Sequence, residues 1–329
     1  FAKKIGFNDL SGGIAASGGT LSNLNALIAA RNNAGLATNP NSVLLVSEDA
    51  HSSFVKCIRV MGLDTTNLVR IKTDNQGRMD INYLRKSLDK CSIENKKIFA
   101  IVATLGTTVR GAIDPIKEIS EICKQRNIWL HIDGSIGGIF AITSIPIEGL
   151  NNINQANSIT INPQKIIGIT KTSSLLLVSN MSTLENTFNT GLPYISSKEN
   201  IINRGEIGIQ GSRPAEVIKL WLGLRFLGLN GIENILNSSI KRKDFFIKNI
   251  SKNKFDIYSG PLHIVSFLPK KLEPKDSDAW TQTKVNELIN NNFMLSRPKF
   301  KGKYFLRVVM GNYNTKESHI EELLRLLDA

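Results

Sequence analysis

The chain has 329 residues, of which 41% are hydrophobic, with 41 Lys or Arg against 28 Asp or Glu and a formal net charge of +13. That length and apolar content allow one large or two moderate domains with a proper core. No run of about 18 apolar residues occurs, which excludes a transmembrane helix, and no signal peptide is visible.

The basic residues are scattered, with short clusters at Lys241, Arg242 and Lys243 and at Lys270 and Lys271. No aromatic platform is interleaved with them, so the charge does not mark a nucleic-acid surface. Cys57, Cys91 and Cys123 are odd in number and form no C-x-x-C pair. They argue for a reducing compartment, the cytoplasm, and against a disulfide framework or a zinc site.

In chain order, Ser17, Gly18, Gly19 and Thr20 precede a stretch in which Leu21, Leu24, Leu27 and Ile28 share one helical face. Thr20 is read as its N-cap. Glycines before a helix start let N–H groups approach an anion, whose charge the helix dipole favours, though they also suit an ordinary turn. Residues 43–46 read as a buried parallel strand that hands over, through His51, to a helix ending near Met61. Open α/β sheets place ligands on that side. An imidazole there suits stacking on a ring, proton transfer or plain helix capping.

Residues 68–71 and 98–103 are further strands, with an amphipathic helix over 80–90 between them. The second strand runs into Thr104, Leu105, Gly106, Thr107 and Thr108, small and hydroxyl-bearing residues suited to close ligand approach. Asp114 and Pro115 open a helix to about Arg126, with proline at its first position. Residues 128–133 form the next strand, and its period of two puts His131 and Asp133 on one face. This alternation predicts a layered α/β domain with a largely parallel sheet.

Residues 159–161 end a buried strand that Asn162 and Pro163 break, leaving Lys165 in a loop. A lysine that loses its proton forms a Schiff base with an aldehyde cofactor. A carboxylate at the end of a neighbouring strand, Asp133, can hold the cofactor's ring nitrogen protonated. Residues 174–178 are a strand, 180–208 are polar and irregular in the manner of a lid, and 213–229 form a long helix. A small α+β unit starts near Gly231, with helices to about 252, at 278–291 and at 315–327, and strands at 263–268 and 304–309.

Taken in order, Ser17 to Thr20, Ala50 to Ser52, Ala103 to Thr108, His131 to Asp133 and Asn162 to Lys165 resemble the group II pyridoxal-phosphate decarboxylases. That family acts on glutamate, aromatic amino acids, cysteine sulfinate and diaminobutyrate. Gly211 to Pro214 leading to Trp221, and Leu306 to Val308, also fit, so the resemblance covers nearly the whole chain. Each motif is weak alone; their order gives them strength.

The resemblance implies fold type I: a three-layer α/β/α large domain over 1–230 and a small α+β domain over 231–329. It implies pyridoxal 5'-phosphate as cofactor, an L-amino acid as substrate and a homodimer. By position, Lys165 resembles the lysine that carries the cofactor, and Asp133 the partner of its ring nitrogen. Ser135 and His51 are similar to the residues packed on the two ring faces. Gly19, Thr20 and Asn162 resemble the phosphate and neighbouring contacts, and Thr108 the threonine near the ring hydroxyl. Tyr194 is similar to the mobile-loop tyrosine that reprotonates the substrate carbon, and Arg307 to the arginine that holds the substrate α-carboxylate.

The chain departs from the family pattern at Gln164, where histidine is usual; glutamine donates a hydrogen bond but cannot titrate. Gly134, Ser135 and Ile136 stand where the family has Ala-Ala-Tyr. Nineteen residues precede Thr20, so the chain is expected to be N-terminally truncated. Two other readings accompany the decarboxylase. One is another carbon–carbon lyase on the same fold, which Tyr194 and Arg307 disfavour. The other is a non-catalytic dimer partner, against which intact Lys165, Asp133 and His51 count.

Overall fold

The computed structural model describes residues 1–171, 173–191 and 203–328. Seven strands form its main sheet: β1 (Gly12–Ala16), β2 (Ser42–Ser47), β3 (Leu68–Ile71), β4 (Lys97–Thr104), β5 (Trp129–Gly134), β6 (Ser158–Ile161) and β7 (Ser174–Val178). Their order is β1-β7-β6-β5-β4-β2-β3. Strands β2 to β6 pair in parallel, whereas β7 runs antiparallel to both β6 and β1. Every residue of β2, β5 and β6 is buried, as in a sheet covered on both faces.

Five helices supply that cover: α1 (Gly19–Asn33), α2 (Ser53–Val60), α3 (Ile81–Ile93), α4 (Ile116–Arg126) and α5 (Ser182–Phe188). Strand β4 shows the three layers through its period of two. Ala100 and Val102 face Leu24, Leu27, Phe54 and Ile58 of α1 and α2. Ile101 and Ala103 face Leu84, Leu88, Ile119 and Ile122 of α3 and α4. Among the described residues no helix is long and apolar enough to cross a membrane.

Local details differ from the sequence reading. Helix α1 starts at Gly19 with Gly18 as its N-cap, and Thr20 is an exposed first-turn residue rather than the cap. Gly18 has φ 139° and ψ 163°, a backbone that glycine alone adopts readily. Nor is α1 buried on one side only: Ser22, Asn23 and Asn25 are as buried as Leu24 and Leu27. Pro115 is the N-cap of α4, one place before the position expected. The Asp114 carboxylate turns inward and accepts the N–H groups of Met79 at 2.6 Å and Thr104 at 2.7 Å. Strand β1 was not expected, because its Gly-Gly-Ile-Ala-Ala run has no alternation to read, and α5 lies inside the stretch expected to be irregular.

Helix α6 (Val217–Asn249) joins what read as two helices. It begins after Pro214, which biases Arg213 away from helical backbone. It breaks at Gly228, whose φ 61° and ψ 177° are non-helical. Beyond it come β8 (Phe255–Ser259), β9 (Ile264–Pro269), α7 (Ser277–Asn290), β10 (Lys299–Phe300), β11 (Lys303–Tyr304), β12 (Leu306–Val309) and α8 (Glu317–Asp328). Strands β12, β9 and β8 form an antiparallel sheet. A separate apolar cluster packs on it, with Phe246, Phe255, Phe267, Leu288, Leu306 and Ile320.

The two units meet around Arg110. Its guanidinium donates to the Asp49 carboxylate at 3.1 Å, both side chains being buried, and lies 4.8 Å from the Phe300 ring centre. Burial pushes the Asp49 carboxyl up to about 6 despite that charge. Arg110→Met leaves Asp49 buried without its partner, and we expect a loss of about 3–5 kcal/mol in urea unfolding. The uncompensated carboxyl rises further, and a carboxyl whose folded pKa exceeds its unfolded one loses stability as pH rises through the folded value. The deficit of the variant is therefore expected to be larger at about pH 8 than at about pH 5.

Candidate active site

The C-terminal ends of β4, β5 and β6 meet the start of α1. Thr104, Asp133 and Thr160 are register neighbours across those strands. A cleft of about 210 Å³ opens above them. A groove of about 570 Å³ around residues 140–154 is larger, but among the described residues its only acidic or basic lining is Lys4 and Glu148. The smaller cleft gathers Asp133, His51 and Lys165.

One end of the cleft suits an anion. The N–H groups of Leu21 and Ser22 bond back to the Gly18 carbonyl at 3.0 and 3.1 Å. Those of Gly19 and Thr20 precede this ladder and have no intrahelical acceptor. A Cβ on Gly19 would fall 2.7 Å from both Asn162 Nδ2 and Ser135 Oγ, so two polar groups converge where a side chain would sit. The Ser174 hydroxyl donates to Asn162 Oδ1, and Ser22 Oγ lies 2.8 Å from Ser174 Oγ. That chain turns the Asn162 amide donor toward Gly19. Backbone N–H groups, an amide and the positive end of a helix dipole make a cradle for phosphate.

Asp133 forms the floor and is 5% exposed. Its Oδ1 accepts the Ser135 N–H at 3.1 Å, and its Oδ2 accepts Asn23 Nδ2 at 3.1 Å. Burial alone would raise this carboxyl; hydrogen bonding from Ser135 and the nearby Lys165 charge outweigh it and hold the pKa below the usual value. Lys165 ends the short turn Pro163–Lys165 that follows β6. Desolvation by the cleft walls lowers its pKa, Arg307 and Lys171 lower it further, and Asp133 opposes them. A lysine so depressed offers more neutral amine at ordinary pH. His51 accepts the Ser53 N–H on Nδ1 at 3.1 Å, so its neutral ring carries the proton on Nε2. Desolvation holds its pKa down too, aided by Lys165 and opposed by Asp133.

All the cofactor-binding candidates read from the sequence, Gly19, Thr20, His51, Thr108, Asp133, Ser135, Asn162 and Lys165, line this one cleft. Arg307 is not one of the lining residues; it donates to the carbonyl of Thr108, which lines the cleft, at 2.5 Å and to Ser296 Oγ at 2.8 Å. Tyr194 lies outside the described residues. Gln164 lines the cleft, and its carbonyl accepts the Ser173 N–H. Ile136, noted in the sequence as a departure, lines the cleft too, whereas sequence reasoning missed Asn23 and Ser53 as lining residues. Asn23 was within reach, since it follows Gly19 by four residues and so shares its helix face. The Ser53 and Thr104 hydroxyls are buried in the cleft wall with no partner among the described residues. An anion cradle, a charged floor, an imidazole wall, a depressed lysine and two unpartnered hydroxyls fit a phosphorylated, ring-bearing aldehyde.

Comparison with known proteins gives consistent findings. Residues 2–267 match the family described as "Pyridoxal-dependent decarboxylase conserved domain". The chain is 30% identical to the aromatic-L-amino-acid decarboxylase of Bacillus atrophaeus, over 98% of this chain and 69% of that protein. It is also 30% identical to the acidic amino acid decarboxylase GADL1 of Xenopus tropicalis, over 73% of this chain and 49% of that protein. Mouse CSAD in apo form superposes with a TM-score of 0.88 at 25% identity, covering 99% of this chain and 73% of the other. Oryza sativa TDC, solved with PLP and tryptamine, superposes with a TM-score of 0.91 at 19% identity, over 99% and 73%, and shows the shared fold. Gly19→Ala places a methyl group where Asn162 and Ser135 converge, and in titrations of the purified protein it is expected to weaken pyridoxal-phosphate binding by more than about tenfold, ~1.4 kcal/mol.

Proposed function

Because the chain belongs to the pyridoxal-dependent decarboxylase family, we propose that it removes the α-carboxylate of an L-amino acid with pyridoxal 5'-phosphate joined to Lys165. Amino-acid decarboxylation with that cofactor is the chemistry of its class, that of a lyase. The observation that carries the residue assignments is a depressed lysine and a buried, ionised aspartate in one cleft beside an anion cradle. When bound, the cofactor supplies an electron sink for the pair left behind as carbon dioxide departs.

The chain's own groups do the rest. Gly19, Thr20 and Asn162 hold the phosphate. Lys165, whose surroundings disfavour the ammonium and shift it toward the neutral form, provides the attaching amine. Asp133 stays charged, so that a ring nitrogen above it keeps its proton. His51 and Ser135 would hold the ring between them, and Thr108 would lie near its hydroxyl. Arg307, tied down by Ser296 and the Thr108 carbonyl, orients the substrate carboxylate. Tyr194 is assigned the return of a proton to the substrate carbon. The two relatives of equal identity are named for an aromatic and an acidic substrate, so the panel that tests this chain must include both.

We further propose a homodimer, supported by exposed apolar side chains along the first half of α6, among them Trp221, Leu222 and Phe226. Sedimentation at only the 36.3 kDa mass of one chain would overturn it. The buried free cysteines support a reducing compartment, the cytoplasm, which cell fractionation tests. We also retain the division into a cofactor-binding domain over 1–230 and a smaller domain over 231–329. The break at Gly228 supports it, although Ile232 and Leu236 beyond the break still pack on the large core; limited proteolysis that spares residues 225–235 while cutting within either unit would count against it.

The deciding experiment adds pyridoxal phosphate to the purified chain, reduces with borohydride and maps the mass increase. Attachment is expected at Lys165 and is lost in Lys165→Ala; no attachment in the parent protein overturns the reading. Asp133→Asn is expected to retain attachment but to slow carbon dioxide release from the preferred amino acid by more than about a hundredfold, the scale of losing one charge-stabilising group.

A further inference from the structure

Beneath Asp133 lies a row of buried polar side chains, of which Trp129 at 6% is the most exposed. Trp129 Nε1 donates to Ser158 Oγ at 2.8 Å, and Ser158 Oγ lies 2.8 Å from His131 Nδ1. His131 Nε2 lies 3.1 Å from Asn23 Oδ1, and Asn23 Nδ2 donates to Asp133 Oδ2 at 3.1 Å. His131 and Ser158 are 0% exposed and Asn23 is 1% exposed. The order follows from topology: Trp129, His131 and Asp133 alternate along one face of β5, Ser158 is the β6 register partner of His131, and Asn23 reaches down from α1.

Donor arithmetic decides how the protons are arranged. An indole nitrogen only donates, so Ser158 Oγ accepts from Trp129. The Ser158 hydroxyl proton then has the unprotonated Nδ1 of His131 as its acceptor. That leaves the histidine proton on Nε2, where it meets Asn23 Oδ1 and turns the Asn23 amide donor onto Asp133. The opposite arrangement puts the proton on Nδ1 and strands the Ser158 hydroxyl. It also flips Asn23, setting a carbonyl oxygen against Asp133 Oδ2, which an ionised carboxylate does not accept.

We propose that Trp129, Ser158, His131 and Asn23 are positioning residues that form a one-way hydrogen-bond chain, locking His131 as the neutral Nε2–H tautomer and delivering a fixed donor to Asp133. The inference rests on the assignment of Asp133 as the partner of the cofactor's ring nitrogen. Burial pushes the His131 pKa down to about 4, against the pull of the Asp133 charge, which suits a ring that stays neutral. The titratable groups around Asp133 are Lys165 from the turn after β6, His51 ahead of α2, Cys57 of α2 and His131 itself. Cys57, pushed up to about 12, and His131 stay neutral at ordinary pH, so neither adds a charge that varies there.

The first arm needs no cofactor. Long-range proton–nitrogen correlation spectra of the full chain, with His131 assigned by comparison with His131→Gln, are expected to show a neutral Nε2–H ring from about pH 5.5 to 9. A ring protonated on Nδ1, or charged in that range, overturns the chain. The second arm compares Ser158→Ala with Ser158→Thr after adding pyridoxal phosphate. Ser158→Ala removes the donor to Nδ1, and binding is expected to weaken about tenfold, with a new pH midpoint in the visible absorbance of the bound cofactor between about pH 6 and 8. Ser158→Thr keeps the hydroxyl and is expected to restore the parent pH profile. Identical pH profiles for the two variants overturn the proposal, since a merely structural defect would not separate them. Should the parent bind no cofactor, the functional reading falls while the tautomer result still stands by itself.

Discussion

The governing constraint is a carboxylate that must stay charged with almost all of its hydration removed. An ionised group taken out of solvent costs several kcal/mol unless hydrogen bonds and opposite charge replace its hydration. Asp133 obtains both, from the Ser135 N–H, the Asn23 amide and the Lys165 charge. This explains why α1 is not an ordinary amphipathic helix. Its N-terminus forms the anion cradle, Ser22 orients Asn162 through Ser174, and Asn23 donates to the floor. Asn25 meanwhile accepts the Ile209 N–H at 2.8 Å. Four successive requirements fall on different sides of one helix, so polar and apolar residues are buried all round it.

The small unit bears on the cleft through the loop that follows β4. Three consecutive carbonyls of that loop each accept a hydrogen bond from it: Thr108 from Arg307 at 2.5 Å, Val109 from Ser266 Oγ at 2.5 Å and Arg110 from the Gly260 N–H at 2.6 Å. Leu262 packs against the same loop, where a Cβ on Gly106 would come within 2.6 Å of it. A loop beside the cleft is thus shaped as much by β8, β9 and β12 as by the sheet it leaves. Arg307 is part of this clamp, and through Thr108 its loss would reach the cleft wall.

Much of this arrangement was legible in the sequence. Strands buried on both faces, such as Val43 to Val46, read as apolar runs because burial on both sides removes any need for polar alternation. Asp133 was legible because it closes such a run, and Lys165 because it follows one directly after the break at Asn162 and Pro163. Strand β1 was not, since Gly12 and Gly13 pack where a Cβ would meet Met181 and Leu176, a contact only the folded chain brings together. The helix α1 cap was misplaced for a related reason: Thr20 looks like a capping residue, but Gly18 alone tolerates the backbone the junction needs. The His131 chain stayed hidden because hydrogen-bond direction depends on three elements meeting in space, and no spacing along the chain records that.

The reversal of β7 has a mechanical consequence. A strand parallel to β6 would need a long crossover before it could pair, whereas an antiparallel one returns at once. The arc carrying Lys165 is therefore anchored at one end by Ile161 and at the other by Ser174 and Leu175, with Ile161 and Leu175 directly paired. Gln164 stitches across it to the Ser173 N–H. The turn that carries Lys165 is thus tied to β6 at one end and, through Gln164, to Ser173 beside β7, and the four methylenes of the lysine carry its amine from there into the cleft. The lysine is a long arm on a tethered post: its amine can change place within the cleft while the backbone that carries it stays joined to two neighbouring strands.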